Sequence, residues 1–317
     1  MSISNSDWHT RLTTRHLRMI TSLAELGLVA RVAEALNVTQ PAISKQIAEL
    51  ERIVGASIVI RDRNRLHLTP IGLKLAEHGR LVLSQIDRAA FDIDAMARGV
   101  SGSVTVGAVG SVAPLLLPEA IALMKGSAPK ANIAVIEGHF VSLLPELTAG
   151  KIDLLIARIW QPMELPGIRQ TALFKEPIVV VAGRGHPLAR KSDISWQSVP
   201  DWPWILPQSN SIARQAVDAL FARNGLLLPQ NTIASASLTL NLELMRKLPA
   251  LGLFPESLAQ IHAARGDIVV LSLDTEGFLS EARCFWMPDQ KIPDGIFELF
   301  MQCLIQSASG NKTNLNT

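Results

Sequence analysis

Only two cysteines, Cys284 and Cys303, occur in 317 residues, and no Cys-x-x-Cys pair exists. A disulfide framework and a cysteine zinc site are thereby excluded. Four catalytic signatures are missing too: Gly-x-Ser-x-Gly, Gly-x-x-x-x-Gly-Lys-Ser/Thr, His-Glu-x-x-His and Gly-x-Gly-x-x-Gly. Gly183-x-Gly185 is followed by His-Pro-Leu, which makes no dinucleotide loop, and the seven histidines show no metal-ligand spacing. No cofactor, no metal and no catalysis are expected. The opening stretch has no basic cap followed by an apolar run, so export is not expected and a reducing cytoplasm is. Residues 99–118 carry no charge, but Gly102, Gly107, Gly110, Pro114 and three serines interrupt them. A spanning helix wants about 20 consecutive apolar residues, so a buried strand, a small-residue loop and a helix are expected instead, with no membrane partner.

What is present suffices for a large core: 48% of residues are hydrophobic and 18% charged. The length suits two domains, or three small ones. Net charge is only +2, yet it is uneven: residues 1–98 hold 13 Lys+Arg against 10 Asp+Glu, and residues 99–317 hold 17 against 18. Arg61, Arg63 and Arg65 alternate along one extended stretch and are expected on one face of a hairpin. Such a triplet alone reads equally as a solvated edge.

Upstream of it, residues 24–51 read as two helices with a tight turn. Val29, Val32, Ala33 and Leu36 fall on one stripe, and Asn37-Val38 breaks the period. Thr39 is a good N-cap, and Pro41 stands in the first turn, where a missing N–H costs nothing. Ile43, Ile47, Leu50 and Val54 make a buried face, and Gly55 ends the helix. The expected polar face carries Gln40, Ser44, Lys45 and Gln46, with Glu49 further along. Amide and cationic side chains at the start of a second helix suit base edges in a major groove. An ordinary amphipathic helix pair has the same pattern; the arginine hairpin beside it favours DNA.

The run VAEALNVTQPAISKQIAELERIVGASIVIRDRNRLHLTPIG resembles the N-terminal domain of the LysR-type transcriptional regulators. The resemblance implies an N-terminal all-α winged helix-turn-helix (residues 1–70) and a long linker helix (71–98). It further implies a C-terminal α/β, periplasmic-binding-protein-like (type 2), two-lobed effector domain (99–306) and a tail (307–317). Lobe I is placed at about 102–161 and 268–306, and lobe II at about 162–267. By resemblance Thr39, Gln40, Pro41, Ser44 and Lys45 lie at the major groove and Arg31 at a phosphate. Arg61, Arg63 and Arg65 of the wing reach the backbone or the neighbouring minor groove of double-stranded, pseudo-palindromic DNA. Leu28 departs from the family's usual serine and loses a helix cap, a cost of order 0.5–2 kcal/mol. Ile58-Val59 and Val32 are apolar departures in a core.

Thr69-Pro70 opens a helix expected to run to Arg98. Leu75, Val82, Ile86, Ala89, Ile93 and Met96 are separated by 7, 4, 3, 4 and 3 residues, the narrow seam of a helix pair. A globular-core helix is the alternative. The family's linker helix joins subunits, which implies a homodimer or homotetramer, and the resemblance admits RNA polymerase as a further partner.

Residues 99–317 alternate strands and helices, expected to form mainly parallel sheets. Val104–Gly107, Leu117-Pro118, Gly150-x-x-Asp153-Leu154, Gly185–Leu188, Gly252 and Phe254-Pro255 carry the looser family likeness here. It is nearest the branch with the galactose-binding-protein and protocatechuate-pathway regulators. Ligands on such sheets bind beyond the carboxyl ends of strands. The candidates there are Gly110, Ser111, His139, Ser142, Arg158, Pro207, Ser209, Asn210, Ser211, Arg214, Ser235 and Ser237. Together they suit a sugar or a small or aromatic carboxylate. Each also has a structural alternative: Ser209 or Ser211 as an N-cap, His139 as a surface residue, Arg158 as a partner of Glu137 or Asp153. Trp196, Trp202 and Trp204 are expected to pack a lobe rather than stack on bases. Two rival functions stand beside the regulator: a solute-binding protein of transport, and an enzyme with an accessory DNA-binding domain.

Overall fold

The computed structural model describes residue 8 and residues 10–62, 65–97, 102–191, 193–209, 211–288 and 295–314. The chain divides into two units, residues 1–97 with 148–151, and residues 98–147 with 152–317.

The first unit begins with α1 (Thr14–Leu26), capped reciprocally: Thr13 Oγ1 accepts from the His16 amide, and His16 Nδ1 accepts from the Thr13 amide. Gly27 closes it with φ of 67°. Then come α2 (Val29–Ala35) and α3 (Gln40–Val54). At Leu28 no side chain caps α2, as the sequence implied. Thr39 Oγ1 accepts from the Ala42 amide, and Gly55, at φ of 74°, ends α3. Met19, Ile20, Leu23, Val32, Ile43, Ile47, Leu50, Val54 and Ile58 form the core.

Next, β1 (Val59–Asp62) and β2 (Arg65–Leu68) pair antiparallel. Thr69 Oγ1 accepts from the Gly72 amide and starts α4 (Pro70–Ala97). Gly72 lies so close to the chain entering β1 that an added Cβ would clash with the Ile58 carbonyl oxygen. Leu75 and Ala76 are buried in the head core. Leu75 therefore does not begin a free seam; the first turns of α4 pack on α1, and Gly79 permits the approach beside Leu17 and Thr21.

In the second unit the strand path is β4-β3-β5-β11-β6-β9-β7-β8, with β10 beside β6. The strands are β3 (Ser103–Ala108), β4 (Asn132–Glu137), β5 (Leu154–Ile159), β6 (Arg169–Gly183), β7 (Trp204–Leu206), β8 (Thr232–Ala234), β9 (Leu251–Pro255), β10 (Ile268–Val270) and β11 (Leu279–Trp286). Between them lie α5 (Ala113–Ser127), α6 (Phe140–Thr148), α7 (Ile212–Arg223), α8 (Leu238–Lys247) and α9 (Glu256–Ala264), and α10 (Ile296–Asn314) follows. The expectation of mainly parallel sheets needs correction. β3–β4, β3–β5, β7–β8 and β7–β9 are parallel, while β5–β11, β6–β11, β6–β9 and β6–β10 are antiparallel.

The lobe limits shift for the same reason. A single strand, β6, serves both sheets: Arg169–Pro177 pairs with β11, and Ile178–Ala182 with β9. Residues 169–176 thus belong with lobe I, not lobe II. Residues 268–270 belong with lobe II, because β10 pairs with Val181–Gly183. No tail separates at 307: α10 continues to Asn314, with Ser307 and Ala308 buried and Ser307 Oγ donating to the Leu116 carbonyl at 3.0 Å. Trp196 and Trp204 stack near-parallel at 6.4 Å and meet Phe221 edge-on inside lobe II, so they are core residues. No helix among the described residues is long and apolar enough to cross a membrane.

Candidate nucleic-acid interface and effector cleft

On α3 the apolar stripe turns inward, and Gln40, Pro41, Ser44 and Lys45 are exposed together on the N-terminal half. Thr39 is exposed at the cap, and Arg31 is exposed on α2. Gln46 does not join them. It is buried, since positions 43, 46, 47 and 50 share one helical face, and its Oε1 has no partner among the described residues. An N-terminal helix face carrying amide, hydroxyl and ammonium groups can donate and accept along a base edge.

In the wing, Arg61 pairs with Leu66 and Arg65 with Asp62 across the antiparallel ladder. Arg63 and the side chains of Arg61 and Arg65 lie outside the described residues.

Along α4, Val82, Ile86 and Ile93 are 47%, 44% and 68% exposed, and Ala89 between them is exposed as well. The Met96 side chain lies outside the described residues. A shallow apolar patch of about 380 Å³ is lined by Leu81, Val82, Gln85, Ile86 and Ala89. Four seam positions thus form a continuous apolar stripe beyond the point where the helix leaves the head core.

In the second unit the candidate effector residues collect at the carboxyl ends of the parallel strands. Gly110 and Ser111 follow β3, His139 and Ser142 follow β4, and Arg158 stands near the end of β5. Pro207, Ser209 and Ser211 follow β7, while Ser235 and Ser237 follow β8. Asn210 lies outside the described residues.

Several of these hydroxyls already have structural work. Ser211 Oγ accepts from the Arg214 amide and donates to the Gln208 carbonyl. Ser237 Oγ caps α8 through the Leu240 amide, and Ser235 Oγ accepts from the Ser237 amide. Ser142 Oγ exchanges hydrogen bonds with the His139 backbone, and the His139 ring is exposed. Arg214 donates through Nε to Asp218 at 2.8 Å and through Nη1 to the Pro207 carbonyl at 3.2 Å.

Arg158 pairs with neither Glu137 nor Asp153. Its side chain is 4% exposed and meets the fully buried Glu176 carboxylate at 2.7 Å. Nη1 donates to Ser280 Oγ at 2.9 Å, and Nη2 also reaches the Ser111 carbonyl at 3.3 Å. Phe174 lies under the guanidinium at 5.9 Å. The other Glu176 oxygen accepts from the Ser257 amide at 2.8 Å and its hydroxyl at 2.5 Å, at the N-terminus of α9. Burial lowers the Arg158 pKa from its ordinary value, while the Glu176 charge and hydrogen bond push it back up. This network joins the β3 loop, β5, β6, β11 and α9. Sequence reasoning missed Glu176, Ser257 and Ser280. The one available signal was Glu176 itself, a carboxylate heading the apolar strand PIVVVAG.

A family model described as "Bacterial regulatory helix-turn-helix protein, lysR family" matches residues 14–73, and "LysR substrate binding domain" matches residues 97–309. Among curated relatives, the HTH-type transcriptional regulator GbpR of Azospirillum brasilense is 27% identical, over 90% of this chain and 84% of its own length. The HTH-type transcriptional regulator PcaQ of Agrobacterium fabrum is 24% identical, over 84% and 85% respectively. Among solved structures, full-length CbnR complexed with its target DNA has a TM-score of 0.63 and 22% identity, covering 93% of this chain and all of that one. The last likeness bears on the fold.

Proposed function

The chain belongs to the LysR family of DNA-binding transcriptional regulators, which are not enzymes, and from that premise we propose how its residues divide the work. The outward face of α3 reads the major groove through Gln40, Ser44 and Lys45, with Thr39 and Pro41 fixing the helix start. Arg31 holds a phosphate, and the wing arginines Arg61, Arg63 and Arg65 grip the flanking backbone. A small-molecule effector seats in the cleft between the lobes, against the loops at Gly110–Ser111, His139–Ser142, Pro207–Ser211 and Ser237, with Arg158 and Arg214 behind them. Effector occupancy shifts the balance between two arrangements of the DNA-binding heads, by as much as its affinity differs between them.

The head comprises residues 1–70, the linker 71–98, and the remainder senses the effector. The stripe Val82, Ile86, Ala89 and Ile93 pairs two copies of α4, as a homodimer or a dimer of dimers, in the cytoplasm. A two-fold pair of heads matches a pseudo-palindromic site with half-sites about one helical turn apart. RNA polymerase is the further partner through which promoter occupancy becomes transcription.

One observation carries the reading: α3 buries Ile43, Ile47 and Leu50 while leaving Gln40, Ser44 and Lys45 uncovered. Fluorescence anisotropy with the DNA upstream of the coding sequence tests it. Ser44→Ala and Lys45→Ala are expected to weaken specific binding with an unchanged circular dichroism spectrum, and affinity should fall steeply with salt as counterions are released. Full operator affinity in both variants, or a flat salt response, refutes it.

A further inference from the structure

Five N–H bonds radiate from an arginine, and at Arg158 the one on Nε is unspent. The two terminal nitrogens donate to Ser280, Ser111 and Glu176, whereas Nε, buried, has no partner among the described residues. A buried donor without a partner is rare enough in native proteins to require an explanation. Nearby loops at the carboxyl ends of β3 and β5 are where such sheets take ligands.

Charge decides which ligand. Glu176 matches the Arg158 cation at 2.7 Å, and its second oxygen is fixed by Ser257. A second carboxylate brought to Arg158 would meet the buried Glu176 charge, where like charges repel strongly in a low dielectric. The other cation among the cleft candidates, Arg214, is matched by Asp218. Neither candidate cation offers uncompensated charge to an anion.

We infer that Glu176 is a specificity-determining residue: by occupying Arg158 it turns the inner cleft against carboxylates, leaving Nε–H to donate to a neutral hydroxyl or carbonyl oxygen of an uncharged polyol such as a sugar. The inference rests on the reading that the cleft holds an effector and narrows that effector's class.

The test uses the full-length protein and its Glu176→Gln variant, which keeps the side chain's shape while removing its charge. Melting temperature and operator affinity are followed against galactose, glucose and arabinose, and against acetate and benzoate at constant ionic strength. The unaltered protein should answer to a neutral sugar and to neither carboxylate. Glu176→Gln should acquire saturable stabilisation by acetate or benzoate, binding at least about tenfold tighter than the unaltered protein. Equal carboxylate responses in the two proteins overturn the inference. Should the variant fail to fold, the unaltered protein decides alone, because saturable stabilisation by either carboxylate is the contrary result. An operator complex altered by carboxylates removes only the role given to Glu176. An operator complex indifferent to every sugar and carboxylate tested removes the effector cleft, and this inference with it.

Discussion

Replacing Ile86 by aspartate places a charge at the centre of the exposed stripe on α4. Fully burying an isoleucine side chain is worth about 1.5–3 kcal/mol, and Ile86 is 44% exposed in the single subunit. Covering that remainder in a helix pair contributes about 1 kcal/mol per side chain, or about 2 kcal/mol for the two copies that a two-fold axis brings in. Since about 1.4 kcal/mol is a factor of ten, losing this contact alone raises the dimer Kd about thirtyfold. Desolvating two carboxylates raises it further. Sedimentation equilibrium over a wide concentration range measures the change, with Ile86→Leu as a control expected to stay near the unaltered value. Because the substituted position faces solvent in one subunit, circular dichroism should not change. An Ile86→Asp protein that associates as tightly as the original would refute the pairing of α4 helices through this stripe.

Further outcomes follow from the packing. Burial pushes the Cys284 thiol up to about 12 and the Cys303 thiol upward from its ordinary value. Only about one Cys284 in 10⁴ is a thiolate at pH 8, so neither cysteine should react with iodoacetamide until denaturant is added; rapid labelling of the native protein would contradict their burial. His186 Nδ1 accepts from the Leu188 amide and Nε2 faces the Pro249 carbonyl, which fits the neutral ring protonated on Nε2. Burial depresses its pKa, so the unfolded chain takes up the proton first. The stability due to His186 is complete above its ordinary value near pH 6.5 and is lost as pH falls below it. Melting temperature should decline on that side, and less so in His186→Gln; identical slopes would argue against the linkage. Gly72→Ala drives a methyl group into the Ile58 carbonyl oxygen and should destabilise the head by about 1–3 kcal/mol, as read by urea denaturation. An unchanged midpoint would mean that α4 starts elsewhere.

The head was legible because its signals agree. Thr39 caps, Pro41 opens, Gly55 stops, and the apolar residues between keep a helical period. Two errors there have different causes, polarity in one and spacing in the other. Gln46 is polar, yet it stands between Ile43 and Ile47 on the inward face. Leu75 matches the seam by spacing, but Gly79 lets α4 lie against α1 for one turn more, so Leu75 is already spent in the head core.

The second unit was harder to read. α9 begins directly from Pro255 without a side-chain cap and spans only nine residues. Its existence went unnoticed, and with it the group that holds Glu176. β8 has three residues, of which only Ile233 is even half-buried, so periodicity had nothing to register. The first half of β6 is a mixed polar stretch, RQTALFK, and pairing with β11 rather than composition makes it a strand. The strand-end positions of the cleft candidates were nonetheless legible, since a turn after a buried strand is a local feature. Their partners, far off in sequence, were not: Arg158 meets Glu176, Ser280 and Ser111 only after the sheets assemble.

Because β6 runs unbroken from one sheet into the other with β11 bonded alongside it as far as Pro177, the lobes are joined by a ribbon rather than by loose strings. A ribbon twists far more readily than it stretches or shears. Relative motion of the lobes should therefore be a small rotation about the ribbon's length, with each degree of twist felt at Glu176, beside Pro177 where the ladder changes partners.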